Sequence, residues 1–572
     1  MLMGGQKRAS WRQAVVYQVY PWTFNEDKQR QPQRGHGSIK GVTKKIPYLR
    51  HDLGIDAVWL SPFYPSPMVD GGYDISNYKD VHPDLGTLDD FDELVRVARE
   101  NDIRLMVDFI SNHTSDMHEW FLKSQRREDG FDDWYIWHPG VVDDNGNRQP
   151  PNNWASVFSM PNRKARDRGE MPWLQPHEWT PPVSQWEWND TRKEYYLHSF
   201  AKEQPDLNWS NPYVRSAMKD TMRFWLDRGV DGFRVDAINH IGKNMELTNE
   251  EVNTAYNEEW FDNPYDQLMR QNSADYPEAL NKYIWEMTQV LRDERYESRD
   301  LRIVLEAYIS ESQLRDLDSI APDVAGMFNF GRFYIDWQAQ SHKIQIDYYY
   351  SRLHESAVGN QVNGNHDKMR VATRLGEDFA RLAGVVNLFL PGMTFVYNGE
   401  ELNLRDADIP EERLRDPNGL RDPERTPMIW NTEDPNAGFS NADGEDLWLP
   451  INKNDLDRSV ETQKNQPKST LSLYREAIRL THEYAAVQEG DYWSLQTDND
   501  RVLAFGRRTD TERVVVLANF SRDEQTVKLP EVDFVIASVL ISSNNVLEVL
   551  EHVDVRAGVK LEPAEALVIV PA

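Results

Sequence analysis

The chain has no cysteine, which excludes disulfides, thiol catalysis and thiolate metal sites. It also lacks any apolar run approaching the roughly 20 residues of a membrane span. Its first twenty residues, MLMGGQKRASWRQAVVYQVY, hold neither an uninterrupted apolar stretch nor a small-residue cleavage site. Positive charge is short: 64 Lys and Arg stand against 94 Asp and Glu, a formal net charge of -30. Phosphate binding needs a basic footprint, so no nucleic-acid partner is expected. The expectation is a cytoplasmic protein without nucleic-acid or membrane partners. Composition leaves the oligomeric state open.

What is present fits a large globular chain. Apolar residues make up 39% of it, and 572 residues exceed what one core supports, so two or three domains are expected. Aromatics reach 11%, with 19 Trp, which serve either as core filling or as stacking surfaces for a ring-shaped ligand. Short β-branched and aromatic runs alternate with stretches of helical period, the texture of βα units around a parallel sheet. Strands are expected at 15–22, 57–63, 104–110, 232–237, 303–308, 327–330, 361–365 and 394–397. That number suits an α/β chain folded as a (β/α)8 TIM barrel. Thr87 and Asp90 form a capping box ahead of Phe91, Leu94, Val95 and Ala98. Asn211-Pro212 opens another helix, and Gly229 closes it.

The spacing of the strands is uneven. Residues 112–195 are rich in Pro, Asn and Trp and carry little helical period. A structureless loop of that length is improbable in a compact domain, so a small domain inserted after the third strand is expected. The barrel then comprises 1–111 and 196–486, with a second insertion at about 403–457. From 487 to 572 the texture changes to short strands between turn residues, such as 502–508, 513–520, 534–541 and 566–570. That pattern reads as a C-terminal antiparallel β-sandwich.

Barrels of this type place chemistry at the carboxyl ends of the strands. Those positions hold Asp108, Asn112 and His113 after the third strand, and Arg234 and Asp236 on the fourth. Glu306 ends the fifth, and Asn365-His366-Asp367 ends the seventh. Clustered carboxylates and imidazoles also suit a divalent metal. Arg234 argues against one, because it shares a strand face with Asp236 and would occupy its oxygens. Carboxyls paired around an arginine suit glycoside hydrolysis better. One stays ionised to attack, while the other stays protonated to serve the leaving oxygen.

These residues resemble the α-amylase family of glycoside hydrolases. DFISNH (108–113), GFRVDAINH (232–240), LEAY (305–308) and GNHD (364–367) stand in the order of that family's four motifs. GGYDISNY (71–78) and QPDLNW (204–209) match two more, so the likeness runs over nearly the whole chain. The resemblance implies that Asp236 is the nucleophile and Glu306 the acid and base. It gives Asp367, His113 and His366 sugar hydroxyls to bind, and Arg234 the task of ionising Asp236. The double displacement retains the α configuration. Asn112-His-Thr114 and Asn208-Trp-Ser210 fit glycosylation sequons inside these motifs and are read as coincidence.

Finer matches point to the α-glucosidase and oligo-1,6-glucosidase-like group. Tyr73-Asp74 resembles the pair at the terminal-sugar subsite, and RDPERTPM (421–428) resembles a segment whose first arginine bonds that Asp. An Asp74–Arg421 bridge would close a pocket for one terminal glucose. Phe158 is expected on its wall. Ala237, after the nucleophile, implies a preference for α-1,4 linkages, hence maltose, maltooligosaccharides and also sucrose. No cofactor is implied. The family's calcium loop corresponds to FNEDKQRQPQRGHGSIKG (24–41), where most acidic ligands are replaced. The segment 160–182 is longer than the family pattern and lies where an acceptor sugar would enter. Three alternatives remain: a transglycosylase or isomerase acting on sucrose or forming trehalose, an oligo-1,6-glucosidase, and a non-catalytic interaction protein.

Overall fold

Side chains two apart on a strand share a face, and that period sorts this sheet into an inside and an outside. The computed structural model describes residues 10–29, 32–158, 183–255, 264–309, 311–333, 335–416, 421–545 and 552–572. Its parallel strands are β1 (Val15–Val19), β2 (Ala57–Leu60), β3 (Arg104–Ile110), β4 (Gly232–Asp236), β5 (Arg302–Leu305), β6 (Ala325–Met327), β7 (Asn360–Val362) and β8 (Met393–Tyr397). The sheet runs β6-β5-β4-β3-β2-β1-β8-β7. A bridge between Asn329 and Gln361 closes it into a barrel, with the Asn329 N–H on Asn360 O at 3.0 Å. Val16, Trp59, Met106, Val304, Val362 and Phe395 pack together inside. Tyr17, Val58, Leu105, Val107, Phe233, Val235 and Ile303 face outward.

A helix follows each strand: α1 (Ile39–Pro47), α2 (Leu88–Glu100), α3 (Pro212–Arg228), α4 (Pro277–Leu291), α5 (Glu311–Asp318), α6 (Ala339–Arg352), α7 (Glu377–Phe389) and α8 (Thr470–Glu483). The expected caps are in place. Thr87 accepts from the Asp90 N–H at 3.2 Å, and Asp90 accepts from the Thr87 N–H at 3.0 Å. Asn211 accepts from the Tyr213 N–H at 2.8 Å, and Gly229 ends α3 with φ 107°. Several strands are shorter than the apolar runs suggest. β1, β2, β5 and β7 stop at Val19, Leu60, Leu305 and Val362. After β1, β2 and β5 apolar residues such as Trp22, Phe63 and Ala307 continue, but they leave the ladder and enter the loops that build the mouth.

The inserted region carries a three-stranded sheet of Trp137–His138, Glu194–Leu197 and Trp186–Asn189. Its strand Glu194–Leu197 straddles residue 195, where the sequence places the return to the barrel. Trp154 and Trp186 are buried and stack on each other at 6.3 Å, so they fill a core and offer no sugar platform. The segment 160–182, with Trp173 and Trp179, lies outside the described residues.

At the C-terminal end, β9 (Asp491–Ser494), β10 (Val502–Arg508), β11 (Arg513–Asn519), β13 (Ile536–Ser542), β14 (His552–Asp554) and β16 (Ala566–Pro571) form one antiparallel sheet. The pair β12 (Gln525–Val527) and β15 (Val559–Leu561) makes a second. Val515, Leu517 and Ile569 pack on Val527, Val559 and Leu561 between them. Among the described residues no helix is long and apolar enough to cross a membrane.

A Cβ at Gly229 would run into the Arg99 guanidinium and lie 2.9 Å from Val95 Cγ1, on a backbone already left-handed. Gly229→Ala is therefore expected to lower the unfolding free energy by about 1–2 kcal/mol in denaturant titration, with turnover unchanged. An unchanged midpoint would contradict this account of the end of α3.

Candidate active site

Alternation along β4 puts Arg234 and Asp236 on the inner face, one above the other, and the mouth is organised around that arginine. Arg234 is 1% exposed. Its Nη1 donates to Asp108 Oδ1 and to Asp236 Oδ1, each at 2.7 Å, and its Nη2 lies 3.4 Å from Glu306 Oε2. The guanidinium also lies 5.2 Å from the Trp59 ring, which forms its floor. One cation thus faces three carboxyls drawn from β3, β4 and the end of β5.

Those three cannot all be ionised in so dry a place. Burial pushes Asp108 up to about 7, against the pull of Arg234. Burial likewise raises Glu306 to about 7, and the charge on Asp236 adds to that rise. Burial also raises Asp236, against Arg234 and then His113. Asp236 is the best placed to carry charge, because its side chain is 13% exposed whereas that of Asp108 is fully buried. Glu306 is 6% exposed on its side chain and touches Arg234 only at 3.4 Å. The pair therefore holds one ionised and one protonated carboxyl.

Glu306 also fixes the backbone beside Asp236. Ala237 has φ 41° and ψ 44°, a left-handed conformation unusual for a residue with a Cβ. Its N–H donates to Glu306 Oε2 at 2.8 Å, and the next N–H, of Ile238, donates to Glu306 O at 2.9 Å. The same residue that faces Asp236 across the mouth thus holds the kink that follows it.

Asp367 sits in a different field. Burial opposes its ionisation, but the Nε2–H of His366, turned toward it, and the charges of Arg421 and Arg425 outweigh burial and hold it well below the usual carboxylate range. Arg425 Nη2 donates to its Oδ1 at 2.8 Å and Arg421 Nη1 at 3.1 Å. His366 Nδ1 accepts from Gln18 Nε2 at 2.8 Å, so the ring proton sits on Nε2. That nitrogen lies 2.5 Å from the Tyr73 hydroxyl and 3.3 Å from Asp367 Oδ2. Burial keeps the imidazole neutral. Tyr73 stacks on it at 5.3 Å, nearly parallel, and is itself 4% exposed.

The expected Asp74–Arg421 bridge does not form. Asp74 is buried within its own loop, accepting from the Ser66 hydroxyl and from the N–H groups of Val69 and Asp70 at 2.9–3.0 Å. With its oxygens turned to that loop it cannot reach Arg421. Asp70 takes the place: its Oδ1 lies 2.5 Å from Arg421 Nη2, which also bonds Asp416 Oδ1 at 2.5 Å. Gln204 Nε2 extends the chain of contacts, 2.9 Å from Asp70 Oδ2 and 3.1 Å from His113 Nε2. The Arg421 guanidinium also lies 5.7 Å from the ring of Phe158, whose edge meets Phe200 at 5.7 Å. Phe200 in turn packs on His113 at 5.0 Å.

The structure thus gathers Tyr73, His113, Phe158, Arg234, Asp236, Ala237, Glu306, His366, Asp367 and Arg421 at one mouth. Sequence reasoning missed Gln18, Asp70, Gln204, Asp416 and Arg425. Gln204 and Arg425 stood inside quoted motifs, and Asp70 directly precedes one. In the loop 24–41, Asp27 accepts from Lys44 at 2.5 Å and Glu26 accepts from the Arg34 N–H at 2.7 Å. Asn112 and Asn208 are buried, and the Asn112 amide donates to Asp206 at 2.8 Å, so neither sequon offers a free side chain.

Carboxyls held in opposite protonation states around a buried guanidinium, at the mouth of a (β/α)8 barrel, are the apparatus of a glycoside hydrolase. The profile described as alpha amylase, catalytic domain, matches residues 18–490, and that of the alpha-amylase SusG C-terminal domain matches 502–556. The chain belongs to the α-amylase family. It is similar to an alpha-glucosidase of Apis mellifera, 35% identical with 90% of this chain and 86% of the relative covered. Maltase A2 of Drosophila melanogaster is 36% identical, over 89% and 86% of the two chains. Among solved structures, the alpha-glucosyl transfer enzyme XgtA superposes with a TM-score of 0.83 at 29% identity, covering 98% of this chain and 99% of that one.

If Asp70 anchors Arg421, Asp70→Asn should raise KM for a short α-glucoside about 10-fold, roughly the 1.4 kcal/mol of one weakened ionic contact. Steady-state kinetics at neutral pH would read this. A normal KM in Asp70→Asn would remove Asp70 from the pocket.

Proposed function

We propose that this chain is an exo-acting, retaining α-glucosidase that releases glucose from the non-reducing end of short α-glucosides. The single observation that carries the exo reading is the knot of Arg421 with Asp70, Asp416 and Asp367. It stacks charged groups from two loops beside Asp367, where a polysaccharide chain would otherwise run on. Maltose and maltooligosaccharides are the substrates proposed, with sucrose a further one. Likeness to an alpha-glucosidase and a maltase supports this. The small Ala237 beside the leaving group supports α-1,4 linkage.

In the first step the Asp236 carboxylate attacks C1 as the C1–O bond breaks. The Glu306 proton passes to the departing oxygen, leaving a covalent glucosyl-enzyme. In the second, ionised Glu306 takes a proton from water as that water attacks C1, and Asp236 leaves as carboxylate. Arg234 keeps Asp236 ionised in the free enzyme, before the first step and after the second. Asp367, His113 and His366 hold sugar hydroxyls. The chemistry needs only carboxyls and water, so no cofactor enters the proposal. A cytoplasmic location accords with the cysteine-free composition.

The sign of the pH dependence follows from Glu306. The acid must be protonated, and its carboxyl is raised to about 7, so kcat/KM falls as pH rises through that value. Glu306→Gln should remove this alkaline limb and lower kcat by at least about 100-fold on a substrate with a poor leaving group. An alkaline limb that persists in Glu306→Gln would assign the acid to another residue.

A transferase reading, with a sugar replacing water in the second step, is favoured by likeness to the alpha-glucosyl transfer enzyme XgtA. Product analysis on maltose, isomaltose, sucrose and trehalose separates the two. Free glucose should dominate with maltose. Glucose as a minor product beside isomers or longer oligosaccharides would overturn the hydrolase reading.

A further inference from the structure

Away from the mouth, a cavity of about 20 Å³ lies between the β6–β7 side of the barrel and the C-terminal sheet. It has room for one body the size of a water or a halide. Arg332, Trp337, His342, Arg374 and Phe520 are among the residues that line it, and among the described residues none of the lining is acidic.

Three buried donors stand among the polar groups around it. Arg332, in the turn Gly331–Phe333 after β6, is 7% exposed. Its Nη2 donates to Asn387 Oδ1, while its Nε has no hydrogen-bond partner among the described residues. Arg374 belongs to the helix Val371–Leu375 that follows Asp367. Its Nη2 donates to Asn363 O at 2.5 Å, and its Nε is likewise unpartnered. Trp337 Nε1 is a third buried donor without a partner among the described residues, on a ring packed 4.5 Å from Phe520 and 5.6 Å from Phe379.

Two of these donors belong to permanently charged guanidiniums. Burial pushes Arg332 down to about 10 and lowers Arg374 as well, and among the described residues neither forms a salt bridge. His342 donates from Nδ1 to Gln338 O at 3.1 Å, and burial with Arg332 holds it neutral, at about 4. Glu400 is the carboxyl that acts on both arginines, but it lies outside the lining. It is bonded by the Tyr474 hydroxyl at 2.9 Å and raised by burial to about 7.

A water could accept two of the three bonds and donate to His342 Nε2, but it would leave the two guanidinium charges uncompensated. A halide accepts from every donor and needs none. The geometry points to a binding site for a monovalent anion of chloride size, held by Arg332, Trp337 and Arg374, that ties the barrel to the C-terminal sheet. Arg374 stands on the helix behind Asp367, and Phe520 comes from the residue after β11. The anion therefore supports the packing beneath the mouth and takes no part in the reaction.

Crystals of the full chain grown in sodium bromide test the site directly. An anomalous bromide peak within hydrogen-bonding distance of Arg332 Nε, Trp337 Nε1 and Arg374 Nε is expected. Density without anomalous signal there, that is, a water only, would overturn the proposal. In solution at fixed ionic strength, exchanging gluconate for chloride should raise Tm by about 2 °C once chloride is about 100 times its Kd. Arg374→Gln should abolish that difference and keep its maltase activity. Equal Tm values for the wild-type protein in both salts would also overturn it.

Discussion

The contact on which the site depends is the buried guanidinium of Arg234 between Asp108 and Asp236, each 2.7 Å away, with Glu306 at 3.4 Å. One positive charge among three carboxyls sets their protonation. Asp236, partly open to solvent and directly bonded, takes the negative charge. Glu306 and Asp108 are left with values near neutrality. Removing one partner of such a buried cluster costs about 3–5 kcal/mol, so the cluster tolerates little variation. The proposed division of labour between Asp236 and Glu306 rests on burial and on where a single arginine sits on β4.

A second ionic system, built from loops, lies beside the first. Arg421 and Arg425 hold Asp367 ionised, and Arg421 reaches across to Asp70 and Asp416. The two systems meet at His366 and Tyr73, where Tyr73 bonds His366 and lies 3.4 Å from Asp108. Strands and the first residue beyond them hold the carboxyls around Arg234, and loops hold those around Arg421. That division lets one barrel carry different substrate pockets over the same chemistry.

Much of this was legible in the chain. The barrel strands showed as β-branched runs, and the start of α2 showed in Thr87 and Asp90 because a capping box is a local signal. Arg234 with Asp236, Glu306 and Asp367 could be read because strand period and strand ends fix where a side chain points. The bridge to Arg421 could not. Asp70 and Asp74 lie four residues apart in one loop, and only the turn at Ser66–Asp70 decides which carboxyl faces out. The left-handed Ala237 was also invisible, since it arises from two hydrogen bonds to Glu306, a residue distant in sequence. The ends of the strands were overread, because an apolar run does not record where its neighbour stops pairing.

The central claim is that Asp236, kept ionised by Arg234, forms the covalent intermediate. Its most direct test is to trap the glycosyl-enzyme with a slow-turnover fluoroglucosyl fluoride and to map the labelled peptide by mass spectrometry. The account predicts one fluoroglucosyl adduct, on Asp236. A label on Asp367 or Glu306, or no adduct together with β-glucose as the first product, would contradict it.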